Sequence, residues 1–283
     1  MSALLSLRLS VDYPNKPGVL RDVALDIAPG EIVGLVGQSG SGKSTMALAL
    51  LGLLESRRAK VSGSVLFEGR DLLRCKEREL RRVRGRRIGL VLQSAAASLN
   101  PNLRIGTQLK EAWRAHEKSD WSHQASQIIE MLQSLGLICD ESFLRRYPGE
   151  ISVGQAQRVL VAMSVMHRPP LLVVDEPTSA LDVIAQAELL DLFRTLNRNL
   201  NCAMLYISHD LSTVAALCTR VCILDAGHVI ESGTPEQIFT MPFQPFTRRL
   251  VGALRQPPWS EFNSGHLAKA SKTSNRTGIP QRV

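Results

Sequence analysis

Gly37-Gln38-Ser39-Gly40-Ser41-Gly42-Lys43-Ser44 follows the spacing G-x-x-x-x-G-K-[ST] in full. Glycines at this spacing let the backbone wrap closely around phosphate groups with its N–H groups turned inward. Lys43 supplies a mobile positive charge for the outer phosphates, and the Ser44 hydroxyl is placed to ligate Mg²⁺. A second group with chemical potential is the pair Asp175-Glu176. Taken alone, a pair of acids after a strand is commonplace and more often caps a helix. Beside a complete phosphate loop it gains a sharper meaning. Asp175 is suited to hold Mg²⁺ through water, and Glu176 to polarise a water that attacks the terminal phosphate.

Those residues need elements that bring them together. Glu31–Val36 is an apolar run that enters the glycine-rich loop and reads as a buried strand. Thr45–Leu54, rich in helix formers, reads as the helix that leaves the loop. Such a helix turns its positive end toward the same anion. Leu171–Asp175 reads as a second buried strand, flanked by Pro169-Pro170 and Pro177. In parallel α/β sheets ligands bind beyond the carboxyl ends of the strands, which is where both acids fall. Further strands are expected at Leu5–Val11, Val61–Glu68, Arg87–Gln93 and Ala203–Ser208, with a hairpin across Asp225-Ala226-Gly227. Helices are expected over Ala125–Leu135, Ala187–Leu196 and from Leu211. The pattern is a mixed α/β layer interrupted by a helix-rich stretch.

The bulk properties bound the function. The chain has 283 residues, 44% hydrophobic and 21% charged, the balance of a globular protein. No run approaches the roughly 18 apolar residues of a membrane span, and Met1–Leu9 lacks the pattern of a secretory signal. The expectation is a cytosolic protein whose membrane role, if any, comes through partners. Five scattered cysteines (Cys75, Cys139, Cys202, Cys218, Cys222) have no zinc-finger spacing and read as reduced thiols. The net charge of +8 owes much to Arg74–Arg87, where Glu77 and Glu79 are interleaved. Such a run is more often a solvated helix face than a nucleic-acid surface, and no nucleic-acid partner is expected.

The ordered set of motifs resembles the ATPase domain of ABC transporters from Leu4 to about Leu254. Tyr13 stands where such domains stack an aromatic ring on adenine. Gln93 resembles the Q-loop glutamine, which reaches the metal and senses the transmembrane partner. Ile151-Ser152-Val153-Gly154-Gln155 is similar to the LSGGQ signature, Ser179-Ala180-Leu181-Asp182 to the D-loop, and His209 to the switch histidine. The resemblance implies an α/β fold: a RecA-like mixed-sheet core (1–93 and 161–250), an N-terminal antiparallel β subdomain, an inserted helical subdomain (94–160) and a C-terminal extension (251–283), disordered after about 256. It implies ATP and Mg²⁺ as ligands. Tyr13, Gly37, Gln38, Ser39, Gly40, Ser41, Gly42, Lys43, Ser44 and Thr45 would bind ATP, and Ser44, Gln93 and Asp175 the metal. Glu176, His209 and Gln93 would be catalytic. Ser152, Val153, Gly154 and Gln155 would meet the ATP of a partner subunit, beside Ser179 and Asp182.

Val153 departs from the pattern, which has glycine there. A β-branched residue resists positive φ and fills space near a nucleotide. Two readings stand open: an impaired or asymmetric composite site, or a backbone that needs no glycine. Ala97-Ser98-Leu99-Asn100-Pro101, Ile105-Gly106 and Gln108 resemble a segment of the oligopeptide, dipeptide and nickel importer ATPases, as does Gln244-Pro245-Phe246-Thr247. This subfamily implies a peripheral subunit on the cytoplasmic face of the inner membrane. Its partners would be a second ATPase, two permeases and, indirectly, an extracytoplasmic solute-binding protein. No cysteine follows Cys222, so no iron–sulfur cluster is expected. The rival readings are a soluble ABC ATPase acting on nucleic acid or ribosomes, a weakly hydrolysing regulatory subunit, and an exporter ATPase.

Overall fold

The computed structural model describes residues 3–54, 58–117, 121–179 and 181–253. The extension expected at 251–283 falls almost wholly outside the described residues. The chain opens with β1 (Leu5–Tyr13), β2 (Lys16–Ile27) and β3 (Ile32–Val36), followed by α1 (Lys43–Leu50). Next come β4 (Lys60–Phe67), β5 (Arg70–Asp71), α2 (Glu77–Val83) and β6 (Ile88–Val91). A helical stretch follows: α3 (Ala95–Ser98), α4 (Ile105–Arg114), α5 (Trp121–Ser134), α6 (Glu141–Leu144) and α7 (Val153–Val165). The chain then returns through β7 (Leu171–Asp175), α8 (Val183–Leu200), β8 (Ala203–Ser208), α9 (Leu211–Leu217), β9 (Arg220–Asp225) and β10 (His228–Gly233). It ends on α10 (Pro235–Thr240) and α11 (Pro245–Gly252).

The strands form two sheets. One is antiparallel, in the order β2-β1-β4-β5. The other has the order β10-β9-β3-β8-β7-β6, parallel except for β10, which closes the hairpin on β9. The central strands of the second sheet are buried on both faces, as parallel sheets are, and their period of two feeds two cores. Val33, Leu35, Leu171, Val173, Leu205 and Ile207 join α1 and the antiparallel sheet in one core. Ile32, Val36, Leu172, Val174, Met204 and Tyr206 join the helices in the other. Fully burying each such side chain contributes about 1.5–3 kcal/mol. The strand ends are therefore rigid mounts for the loops they carry.

Several boundaries differ from the expected ones. The helix after the glycine-rich loop starts at Lys43 rather than Thr45 and stops at Leu50, before Gly52 at φ 63°. β6 ends at Val91, so Gln93 lies two residues past the strand. β2 was not foreseen: Pro17-Gly18 looks like a turn, yet the chain pairs with β1 from Tyr13↔Lys16 onward. The boundary expected at residue 160 falls inside α7. All five cysteines are free thiols, four of them buried.

Candidate active site

Because β3, β6, β7 and β8 run parallel, their carboxyl ends lie on one edge of the sheet. That edge carries the glycine-rich loop, Gln93, Asp175-Glu176 and His209. A cavity of about 420 Å³ opens there, lined by Tyr13, Lys16, Val19, Ser39, Gly40, Gly42, Lys43, Ser44, Thr45, Gln93 and Glu176. Lys16 and Val19 were not among the expected residues; their only signal in the sequence is proximity to Tyr13. A larger cavity of about 640 Å³ lies between α5, α7 and α8, lined by residues such as Trp113, Met131 and Leu196. None of the expected site residues reaches it.

The loop closes tightly. A Cβ on Gly37 would stand 2.2 Å from the Leu224 carbonyl oxygen, so only glycine fits against β9. Gly42 caps α1 at φ 110°, a conformation side chains resist. The buried Lys43 ammonium donates to the carbonyls of Gly37 (2.8 Å) and Gln38 (3.0 Å), which draws the loop into a ring. Burial lowers the Lys43 pKa, against the charges of Glu176 and Asp175 that raise it. The Ser41 hydroxyl is buried with no partner among the described residues.

Glu176 is the point on which the site converges. Its Oε2 accepts from Gln93 Nε2 at 3.1 Å and lies 3.1 Å from His209 Nδ1. Its Oε1 lies 3.8 Å from Lys43 Nζ. Glu176 holds a positive φ of 47°, uncommon for a residue with a side chain. Its N–H donates to the Ile207 carbonyl at 2.9 Å, which ties the strained residue to β8. Three residues far apart in sequence thus meet one carboxylate.

Asp175 lies deeper. Burial raises its pKa, the Ser44 hydroxyl bond lowers it, and the Glu176 charge raises it again. Asp175 Oδ1 has no partner among the described residues. A buried carboxylate oxygen left open beside a serine hydroxyl suits a hard divalent cation, which takes oxygen ligands. Among the described residues no group of three or more His, Cys, Asp or Glu could hold a metal. A Mg²⁺ bound by Ser44 and Asp175 would therefore draw further ligands from phosphate oxygens and water.

Tyr13 ends β1 at the rim of the cavity, its hydroxyl 3.4 Å from Thr45 Oγ1. The signature-like residues stand apart and do not line this cavity. Ser152 caps α7, accepting from Gln155 N–H at 3.2 Å, while Gln155 Oε1 accepts from Ser152 N–H at 2.9 Å. Val153 is the first helical residue, is not at positive φ, and is 53% exposed. The strain anticipated for a β-branched residue there is absent. Asp182 caps α8 through Ala185 N–H, and Ser179 precedes it; neither lines the cavity. Gln108 anchors the importer-like segment: its buried amide accepts from Asn100 N–H and donates to the Asn100 and Leu103 carbonyls. Among the described residues no helix is long and apolar enough to cross a membrane.

The ABC transporter family profile matches residues 20–179. The chain is 43% identical over 242 residues to the peptidoglycan transport ATP-binding protein YejF of Agrobacterium fabrum, covering 84% of this chain and 44% of that protein. It is 38% identical over 271 residues to the oligopeptide transport ATP-binding protein OppD of Haemophilus influenzae, covering 94% and 83%. The solved dimer of the ATP-binding cassette MJ0796, a post-hydrolysis state bound to ADP and Pi, superposes with a TM-score of 0.71 at 26% identity. That match covers 82% of this chain and 98% of the other.

Proposed function

We infer that this chain, which belongs to the ABC transporter family, is the ATP-hydrolysing motor subunit of an importer whose cargo is a peptide. The observation that carries the hydrolytic part is the convergence of Lys43, Gln93 and His209 on Glu176 at the mouth of the phosphate loop. The peptide reading draws on the relatives, whose names include oligopeptide and dipeptide transport ATP-binding proteins.

In this reading the N–H groups of Gly37–Thr45 and the Lys43 ammonium hold the phosphates, and Tyr13 lies against the adenine. Mg²⁺, held by Ser44 and Asp175 with Gln93 within reach, would neutralise developing phosphate charge. Glu176 accepts a hydrogen bond from the attacking water and takes its proton as the water oxygen bonds to the γ-phosphorus. The bond to the β-phosphate oxygen breaks, leaving ADP and Pi. His209 steadies Glu176 and meets the γ-phosphate. A second ATPase subunit would complete the site with its own signature, and Ser152, Val153, Gly154 and Gln155 would serve the partner's nucleotide. Differential contacts to ATP and ADP then drive closing and opening. Two permeases would receive that motion at the cytoplasmic face of the membrane, beside Gln93 and Asn100-Pro101.

The test is phosphate release by the full chain with Mg-ATP. Glu176→Gln should keep ATP binding and lose about 10²–10⁴-fold in turnover, the range a general base supplies. A variant that keeps more than a tenth of the parent's turnover would refute the role given to Glu176.

A further inference from the structure

His209 projects from the short loop between β8 and α9, and that loop is held from two sides. Asp210 N–H donates to Ser208 Oγ at 3.0 Å, and Ser208 Oγ lies 3.3 Å from Thr213 Oγ1. Thr213 Oγ1 in turn donates to the Asp210 carbonyl at 2.8 Å. Asp210 Oδ1 caps α9 by accepting from Ser212 N–H at 2.8 Å. Its other oxygen, Oδ2, accepts from Gln186 Nε2 at 3.2 Å. Gln186 belongs to a different element, α8, and its own N–H donates to the Asp182 carbonyl at 2.9 Å. The half-buried Gln186 side chain thus links the first turn of α8 to the loop presenting His209.

We propose that Gln186 is a positioning residue for ATP hydrolysis: by clamping Asp210 from the first turn of α8 it fixes where His209 meets Glu176. The inference rests on the hydrolytic reading of Glu176 and His209. A displacement of α8 at its first turn moves Asp210, and His209 is the next residue along the backbone. Small misplacements of a catalytic group cost rate steeply, so one hydrogen bond at this joint is worth more to turnover than to folding.

The polarity of the bond supplies the test. Gln186→Glu turns the donor into a carboxylate facing the Asp210 carboxylate, while helix propensity is nearly unchanged. Asp210→Asn keeps the α9 cap, since asparagine caps as well as aspartate. In the double variant the amide introduced at position 210 donates to the carboxylate introduced at position 186, and the bond is restored with reversed polarity. We expect Gln186→Glu in the full chain to lose about tenfold in kcat, with the KM for ATP and the melting temperature unchanged. The double variant should return to within about threefold of Asp210→Asn. Parental kcat in Gln186→Glu, a loss the double variant does not restore, or a loss matched by a fall in melting temperature would overturn the proposal. If the parent itself releases no phosphate, the hydrolytic reading fails and the coupling with it. Turnover by the parent and undiminished turnover by Gln186→Glu refutes the coupling alone.

Discussion

Replacing Asp175 by Asn should make the nucleotide-free protein more stable and abolish its activity. Asp175 is 7% exposed, and its Oδ1 has no partner among the described residues. An unsatisfied buried polar atom costs about 1–3 kcal/mol, more when charged. Neutralising it relieves part of that cost. The loss to weigh against it is the attraction between Asp175 and Lys43. Lys43 makes its ion pair with Glu176, at 3.8 Å, and its hydrogen bonds with the Gly37 and Gln38 carbonyls, rather than with Asp175. The gain therefore wins, by about 1 kcal/mol, which corresponds to about 2–4 °C in a domain of this size. The sign with pH follows from the raised pKa of Asp175. A carboxyl whose folded pKa lies above its unfolded value contributes stability that is present at low pH and lost as pH rises through the folded pKa. The variant has no such loss, so its advantage grows as pH rises from about 4. Thermal melts of parent and variant from about pH 4.5 to 7.5, with and without Mg-ATP, measure this directly. Mg-ATP should raise the parent's melting temperature more than the variant's. A variant that melts below the parent at neutral pH, or an advantage that shrinks with rising pH, would refute the reasoning.

Two other substitutions follow from the same geometry. Gly37→Ala places a Cβ about where the Leu224 carbonyl already stands, and overpacking of this kind costs about 1–3 kcal/mol; a lowered melting temperature and weakened ATP binding should appear together. Val153→Gly removes an exposed isopropyl group from the first turn of α7, where the backbone is not at positive φ, so turnover by the assembled pair should stay near the parent's; a clear rise would show that the side chain crowds the partner's nucleotide.

The contiguous part of the site was legible in the sequence because its chemistry is local. The phosphate loop is eight adjacent residues between a buried strand and a helix, and the strand Leu171–Asp175 appears with the bounds expected of it. The antiparallel hairpin of β9 and β10 was equally plain, since turn residues separate two apolar runs. β2 escaped because Pro17-Gly18 and alternating charges disguise a strand that pairing with β1 imposes. The role of Glu176 as meeting point was illegible for a different reason. Gln93 lies 83 residues away in the chain, and only the parallel register of β6, β7 and β8 brings it and His209 to the same carboxylate. The Gln186–Asp210 clamp left one faint trace, an aspartate placed to cap α9. Val153 shows the converse: the resemblance pointed to a glycine position, while the helical backbone there has no need of one.

The most direct test of the account is purification of the tagged full chain from membranes in mild detergent, with the co-purifying proteins identified by mass spectrometry. The account predicts two permeases and a second ATP-binding subunit, released from the membrane fraction together with this chain. Recovery with ribosomes or nucleic acid, or with no membrane protein, would contradict the importer reading and leave an ATPase whose work lies elsewhere.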